Sequence, residues 1–273
     1  MKKLLGILCM VTIAIASVFG FAGCGKEKLI VYTEAGFAPF EYLNKNKIVG
    51  VDVDIMNLVG EKLGKKVVFE DVSFDTIVDA VAEGKLCNVG AAGISVTEER
   101  AAKVDFSTNY YTAKLYVIYK ANQVADYVHT PAEGEARVYW ESLAGKNIAV
   151  QGGTTADLFI GDEIAEGGVL EGTDTVLTSY ASLATAVKDV ELNMDVLVID
   201  ELPAKQLIAG KSNLACAPLY YAGDTEAEDE AAEDVYAICV TKGQDELLKA
   251  INEVLAELGE EGIQALVNKH LGL

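Results

Sequence analysis

The chain has 273 residues, is 51% hydrophobic and carries only four prolines. That composition suits one large domain or two of ordinary size around a buried core and excludes a disordered chain. A formal net charge of −20 excludes nucleic acid and anionic lipid headgroups as partners, because a surface of that sign repels them.

In chain order, Lys2 and Lys3 precede an apolar run from Leu4 to Ala22 and then Cys24, the layout of an export signal over residues 1–23. Phe21-Ala22-Gly23-Cys24 resembles the bacterial lipoprotein signal, which implies cleavage before Cys24, lipidation of its thiol and a short linker over 24–27. The alternative is a retained apolar anchor. Beyond it, Cys87, Cys216 and Cys239 cannot pair completely, which excludes a disulfide scaffold. Leu29–Thr33 reads as a strand, Asp54–Leu63 as a helix closed by Gly64, and Val67–Val72 as a second strand. Ser73 or Asp75 then starts a helix through Ala82 that ends at Gly84. Asn88–Ala92 is apolar on both faces, as a parallel strand covered by helices would be. The alternation resumes after Tyr110 with strand Ile148–Gln151, a helix from Thr154 or Thr155, helix Ser182–Val187, strand Val196–Ile199 and helix Pro203–Ile208. Strand Val235–Val240 and helices Asp245–Leu258 and Ile263–Leu271 close the chain. Two α/β lobes follow from this order, the first over 28–110 and 235–273, the second over 111–234.

Three places fall at the carboxyl ends of parallel strands, where open α/β sheets bind ligands. Arg100 follows one strand and the bend at Gly93, and its guanidinium can meet a carboxylate with two parallel hydrogen bonds. Gln151–Asp157 (QGGTTAD) joins glycines to helix N-terminal amides suited to an anion. Asp200 ends the apolar strand DVLVID and can take an ammonium. One cationic and one anionic group on different lobes, facing one cleft, suit a zwitterion.

These stretches carry a resemblance. TEAGFAPFEY, GVDVDI, GISVTEER, VDFSTNYY, VQGGTT and VLVIDELPA, in that order, are similar to the bacterial extracellular solute-binding proteins that deliver polar amino acids to ABC transporters. The resemblance runs from about Lys28 to Leu273. It implies two α/β lobes joined by two crossover strands, the type II periplasmic binding protein fold, closing on a free amino acid that is passed to a permease and an ATPase. It further implies a monomer without cofactor or metal, lipid-anchored at the outer face of the cell membrane and not an enzyme. Carried over residue by residue, the Gly93 carbonyl, the Ser95 hydroxyl and Asp200 would meet the α-ammonium. Arg100, with the amides of Ser95 and Thr155, would hold the α-carboxylate. Phe37 and Phe74 would sandwich the side chain, and Glu34 would contact its tip.

Several positions depart from that pattern or admit plainer readings. Ser95 stands where Thr is frequent, Gly84–Asn88 (GKLCN) is one residue longer than usual with Asn at the acid position, and 124–141 and 220–234 carry extra loop. Arg100 alone reads as a surface helix charge, Phe37 and Phe74 as core, and Glu34 equally as ligand contact or solvated rim. Asp52 and Asp54 read as helix caps, Trp140 as packed under the inserted loop, and the acidic run Asp224–Asp234 as a solvated loop rather than a calcium site. A dehydratase-like enzyme with Glu34 as general acid or base is the alternative from another class. A ligand sensor on the same scaffold is a third.

Overall fold

The computed structural model describes residues 26–273; the leader and Cys24 lie outside the described residues. The first lobe contains β1 (Lys28–Thr33), β2 (Gly36–Phe37), β3 (Glu41–Asn44), β4 (Lys47–Val49), α1 (Val51–Leu63), β5 (Lys66–Asp71), α2 (Phe74–Glu83), β6 (Val89–Gly90), α3 (Glu98–Lys103) and β7 (Asp105–Phe106). β8 (Tyr111–Lys120) then crosses to the second lobe. There follow α4 (Val124–Tyr127), β9 (Val128–His129), β10 (Arg137–Tyr139), β11 (Asn147–Gln151), α5 (Thr155–Ile164), β12 (Val176–Tyr180), α6 (Leu183–Leu192), β13 (Val196–Asp200), α7 (Glu201–Leu207), β14 (Leu214–Tyr221) and β15 (Glu230–Ala231). The chain returns along β16 (Glu233–Tyr236) to β17 (Cys239–Val240) and α8 (Asp245–Leu271).

Each lobe is built on its own sheet. The first has strand order β5-β1-β6-β17-β7, with β1 parallel to β5 and β6 and the returning β17 antiparallel to β6. The second runs β12-β11-β13-β8-β14-β10-β9, parallel at β11 and antiparallel where β8 enters. The two crossovers lie side by side: β16 pairs antiparallel with β8 in the register Asp234↔Ala113 and Tyr236↔Tyr111. Local chemistry sets the limits of the elements. Left-handed glycines end two helices, Gly64 at φ 67 and Gly84 at φ 63, while the Thr97 and Thr154 hydroxyls cap α3 and α5. β13 is buried along its whole length, which is why its sequence shows no alternation.

Several elements differ from the sequence reading. α1 starts three residues earlier than expected, at Val51 with Gly50 as N-cap, so neither Asp52 nor Asp54 caps it. Asp54 instead accepts from Lys269 and His270 at the far end of α8. The strand expected over Val235–Val240 is broken between β16 and β17, whereas α8 consists, as expected, of two helices, which meet at the non-helical Gly259 (φ 57, ψ −175). The acidic run is not wholly a solvated loop. Asp234 is 7% exposed, and the Asp229 side chain is 2% exposed in an ion pair with Arg137. Trp140 is fully buried with its ring 5.4 Å from that of Tyr221, in the core of the second lobe. Cys87, Cys216 and Cys239 are unpaired.

Candidate functional site: a cleft between the lobes

A cavity lies where the two lobes meet. The first lobe contributes Glu34, Phe37, Phe74, Gly93 and Ser95; the second contributes Gln151, Thr155 and Asp200. All but one of the residues singled out in the sequence therefore face one space. Arg100 stands at its rim, 8% exposed, and lines the groove next door with Phe74 and Gly153.

Gly93 owes its place to two contacts. Its φ of +53° and the nearness of Phe37, whose Cε1 would lie 2.9 Å from an added Cβ, require glycine there. Its amide donates to Asp52 Oδ2 at 2.9 Å, and Tyr110 donates to Oδ1 at 2.6 Å. Asp52 is thus a buried brace for the cavity-lining backbone rather than a cap. Burial pushes its pKa up to about 6 despite both donors. Beside it Glu41 is fully buried with both carboxyl oxygens unpartnered, and burial raises its pKa well above the usual carboxylate range.

The lobes touch at the other end of the cleft. Arg100 Nη1 donates to the Ser95 carbonyl at 2.7 Å and Nη2 to the Gly153 carbonyl of the second lobe at 2.8 Å. Its Cζ stands 5.6 Å from the centroid of the Phe74 ring, a cation–π contact. Arg100 is thus no surface charge, and one of its donors ties the second lobe to the first while another holds the Ser95 carbonyl of its own lobe. Gly153, at φ +75°, allows this approach, since an added Cβ would come within 3.0 Å of Asp75 Cβ across the interface. The hydroxyls of Ser95 and Thr155, 3.3 Å apart, both donate to Asp234 on β16.

Asp200 ends β13 and is 8% exposed, with Oδ1 buried and unpartnered. Burial, then the nearby Asp234 carboxylate, push its pKa up to about 7. Burial also raises Glu34, and the Gln151 amide across the cleft acts against that. The site therefore holds two acids, Asp200 and Glu34, with no ion pair among the described residues, an apolar pair of rings and, at its rim, one arginine engaged by backbone carbonyls, an arrangement that favours a ligand bringing positive charge. Sequence reasoning missed Asp52, Glu41, Gln151 and Asp234. For Asp234 a signal existed: in the strand EDVY its side chain shares a face with Tyr236, which is fully buried.

Two α/β lobes joined by paired crossover strands over one polar cleft define a clamp of the type II periplasmic binding protein fold. Residues 29–273 match the family described as bacterial extracellular solute-binding proteins, family 3, and the chain belongs to that family. The L-cystine-binding protein TcyJ of Escherichia coli K12 is 25% identical over 281 residues, 99% of this chain and 95% of that protein. The arginine-binding extracellular protein ArtP of Bacillus subtilis is 32% identical over 130 residues, a match that spans 48% of this chain and 46% of ArtP. Among solved structures, the amino acid ABC transporter substrate-binding protein AbpA of Streptococcus pneumoniae, bound to L-arginine, is similar with a TM-score of 0.73. It is 27% identical, over 90% of this chain and 94% of AbpA.

Proposed function

We propose that this protein captures one cationic L-amino acid, arginine first with lysine and histidine next, and delivers it to the permease and ATPase of an ABC importer. The observation that carries the reading is a pair of acids, buried Asp200 and half-buried Glu34, lining one cavity with Phe37 and Phe74. The α-ammonium would meet Asp200, the Gly93 carbonyl and the Ser95 hydroxyl. The α-carboxylate would lie toward Arg100 and the amides of Ser95 and Thr155. The side chain would pass between the rings to Glu34, gaining a cation–π contribution of about 0.5–2 kcal/mol. An acidic ligand would set carboxylate against carboxylate. Lipidation at Cys24 would hold the clamp at the outer face of the membrane. Binding without turnover suits a cavity lined by carboxylates and rings, and the relatives named above are solute-binding proteins.

A thermal-shift screen of the folded chain against free L-amino acids tests this. A ligand at 100 times its Kd adds about 2.7 kcal/mol of stability, a plainly visible shift. Basic amino acids are expected to give the largest shifts, neutral polar ones smaller shifts and acidic ones the least. Silence toward all of them would refute the reading.

A further inference from the structure

Asp234 stands behind the cavity-lining Ser95 and Thr155, on β16, the strand by which the chain returns. It is 7% exposed, and its Oδ1 accepts from the Val235 amide at 2.8 Å. Its Oδ2 accepts from both the Ser95 and the Thr155 hydroxyl, one from each lobe. A hydroxyl owns a single proton and two lone pairs. With both protons directed at Asp234, the two oxygens, 3.3 Å apart, can offer a ligand only lone pairs. At the same end, two donors of the Arg100 guanidinium are engaged by backbone carbonyls.

We propose that Asp234 is a specificity-determining residue that turns the Ser95 and Thr155 hydroxyls into acceptors for the ligand's ammonium and makes the α-carboxylate a minor contributor to affinity. The ligand class that follows is wider than amino acids: a cationic amine of the length of arginine, lacking the carboxylate, fits the same cleft. A negative group on the ligand would approach Asp234 as well as Arg100, so attraction and repulsion offset there. The ammonium instead meets Asp200 and two oriented oxygens. This rests on the reading of the cleft as the ligand site and deepens it.

The test is calorimetric titration of the parent, Asp234→Asn and Ser95→Ala with L-arginine and with agmatine, which is arginine without its carboxylate. In the parent, agmatine is expected to bind within about tenfold of arginine, a small margin for a missing charged group. Asp234→Asn should widen that ratio by about tenfold or more, because a neutral amide no longer opposes the carboxylate or fixes both hydroxyl protons. Ser95→Ala should weaken both ligands by the same factor, since its hydroxyl serves the ammonium they share. A parent ratio near a thousandfold that Asp234→Asn leaves unchanged overturns the inference while the cleft reading stands. So does a Ser95→Ala variant that loses arginine affinity alone, and this arm decides the matter should Asp234→Asn fail to fold. Absence of binding by both ligands to the parent overturns the cleft reading and this inference together.

Discussion

Two buried aspartates in the second lobe are treated in opposite ways. Asp229, in the inserted segment far along the acidic run, meets the Arg137 guanidinium at 2.9 Å and also accepts from the Tyr139 hydroxyl and the Gly223 amide. The Tyr139 hydroxyl, followed by the Gly223 amide, holds its pKa below the usual carboxylate range. Asp200, at the cleft, has no ion pair among the described residues, and burial drives its pKa to about 7. An acid that only fastens a loop receives its counterion from the chain. An acid left at the cleft without a counterion is raised by burial instead, as one that receives a ligand's charge would need to be.

The largest effect should come from removing the group that spans the lobes. Arg100→Ala is expected to weaken a basic amino acid by roughly 2–5 kcal/mol, because the carbonyls of Ser95 and Gly153 lose a buried partner and the lobes lose their tie. Arg100→Lys should recover only part of this, since an ammonium cannot reach both carbonyls as the planar fork does. Calorimetry showing parental affinity in Arg100→Ala would return Arg100 to a surface charge.

Asp200→Asn should weaken a basic ligand nearly as much, without destabilising the empty protein near pH 7. The contrast with Asp229 also predicts a pH signature. Asp200 has a folded pKa of about 7 against an ordinary 3.8, so between those values the folded chain holds the extra proton. Stability contributed by that proton is full below about pH 4 and is lost as pH rises through about 7. Asp52, raised to about 6, adds to the same trend. Melting temperature of the ligand-free chain should therefore fall from about pH 5 to pH 7, with a shallower fall in Asp200→Asn. Basic-ligand affinity should move the other way, dropping by up to roughly tenfold per pH unit below pH 7 as Asp200 takes up its proton. A pH-independent affinity would mean that Asp200 carries no proton in the empty cleft.

Arg137→Ala strands Asp229 in its buried site, so it should lower the melting temperature by several degrees while leaving ligand affinity unchanged. A large loss of binding in this variant would break the distinction between fastening and binding acids. The smallest effect is expected from Glu34→Gln, which should loosen arginine several-fold, about 1 kcal/mol, and spare glutamine. Glutamine affected as strongly as arginine would place Glu34 outside the side-chain pocket.

Much of the fold was legible because local chemistry and tertiary structure agree. Gly64 and Gly84 stop their helices, Thr97 and Thr154 start theirs, and Val196–Ile199 is apolar on both faces because it is covered on both. The short sheet of β2, β3 and β4 was not legible, since strands of two to four residues carry too few positions to show a period. The same holds for the break between β16 and β17. In the cleft, Arg100, Gly93 and Asp200 stand in recognisable segments at strand ends. The buried acids behind them do not. Asp52 looks like a cap because it lies near a helix start, and only Gly50 at φ 146 shows that another residue takes that position. Asp234 ends an acidic run, and only its spacing of two from Tyr236 in a short strand marks it as buried; the two hydroxyls that reach it lie far away in sequence. Burial of charge is decided by partners far away in sequence.

The most direct test is isothermal titration calorimetry of the folded chain near pH 7 with L-arginine and with L-glutamate, each in two buffers of different ionisation enthalpy. Arginine should bind saturably and release protons, as Asp200 gives up its own to receive the ammonium, while glutamate should bind at least about a hundredfold more weakly. Glutamate binding more tightly than arginine, or no binding of either by the folded protein, would contradict the account of a cleft built from unpaired acids to receive a cation.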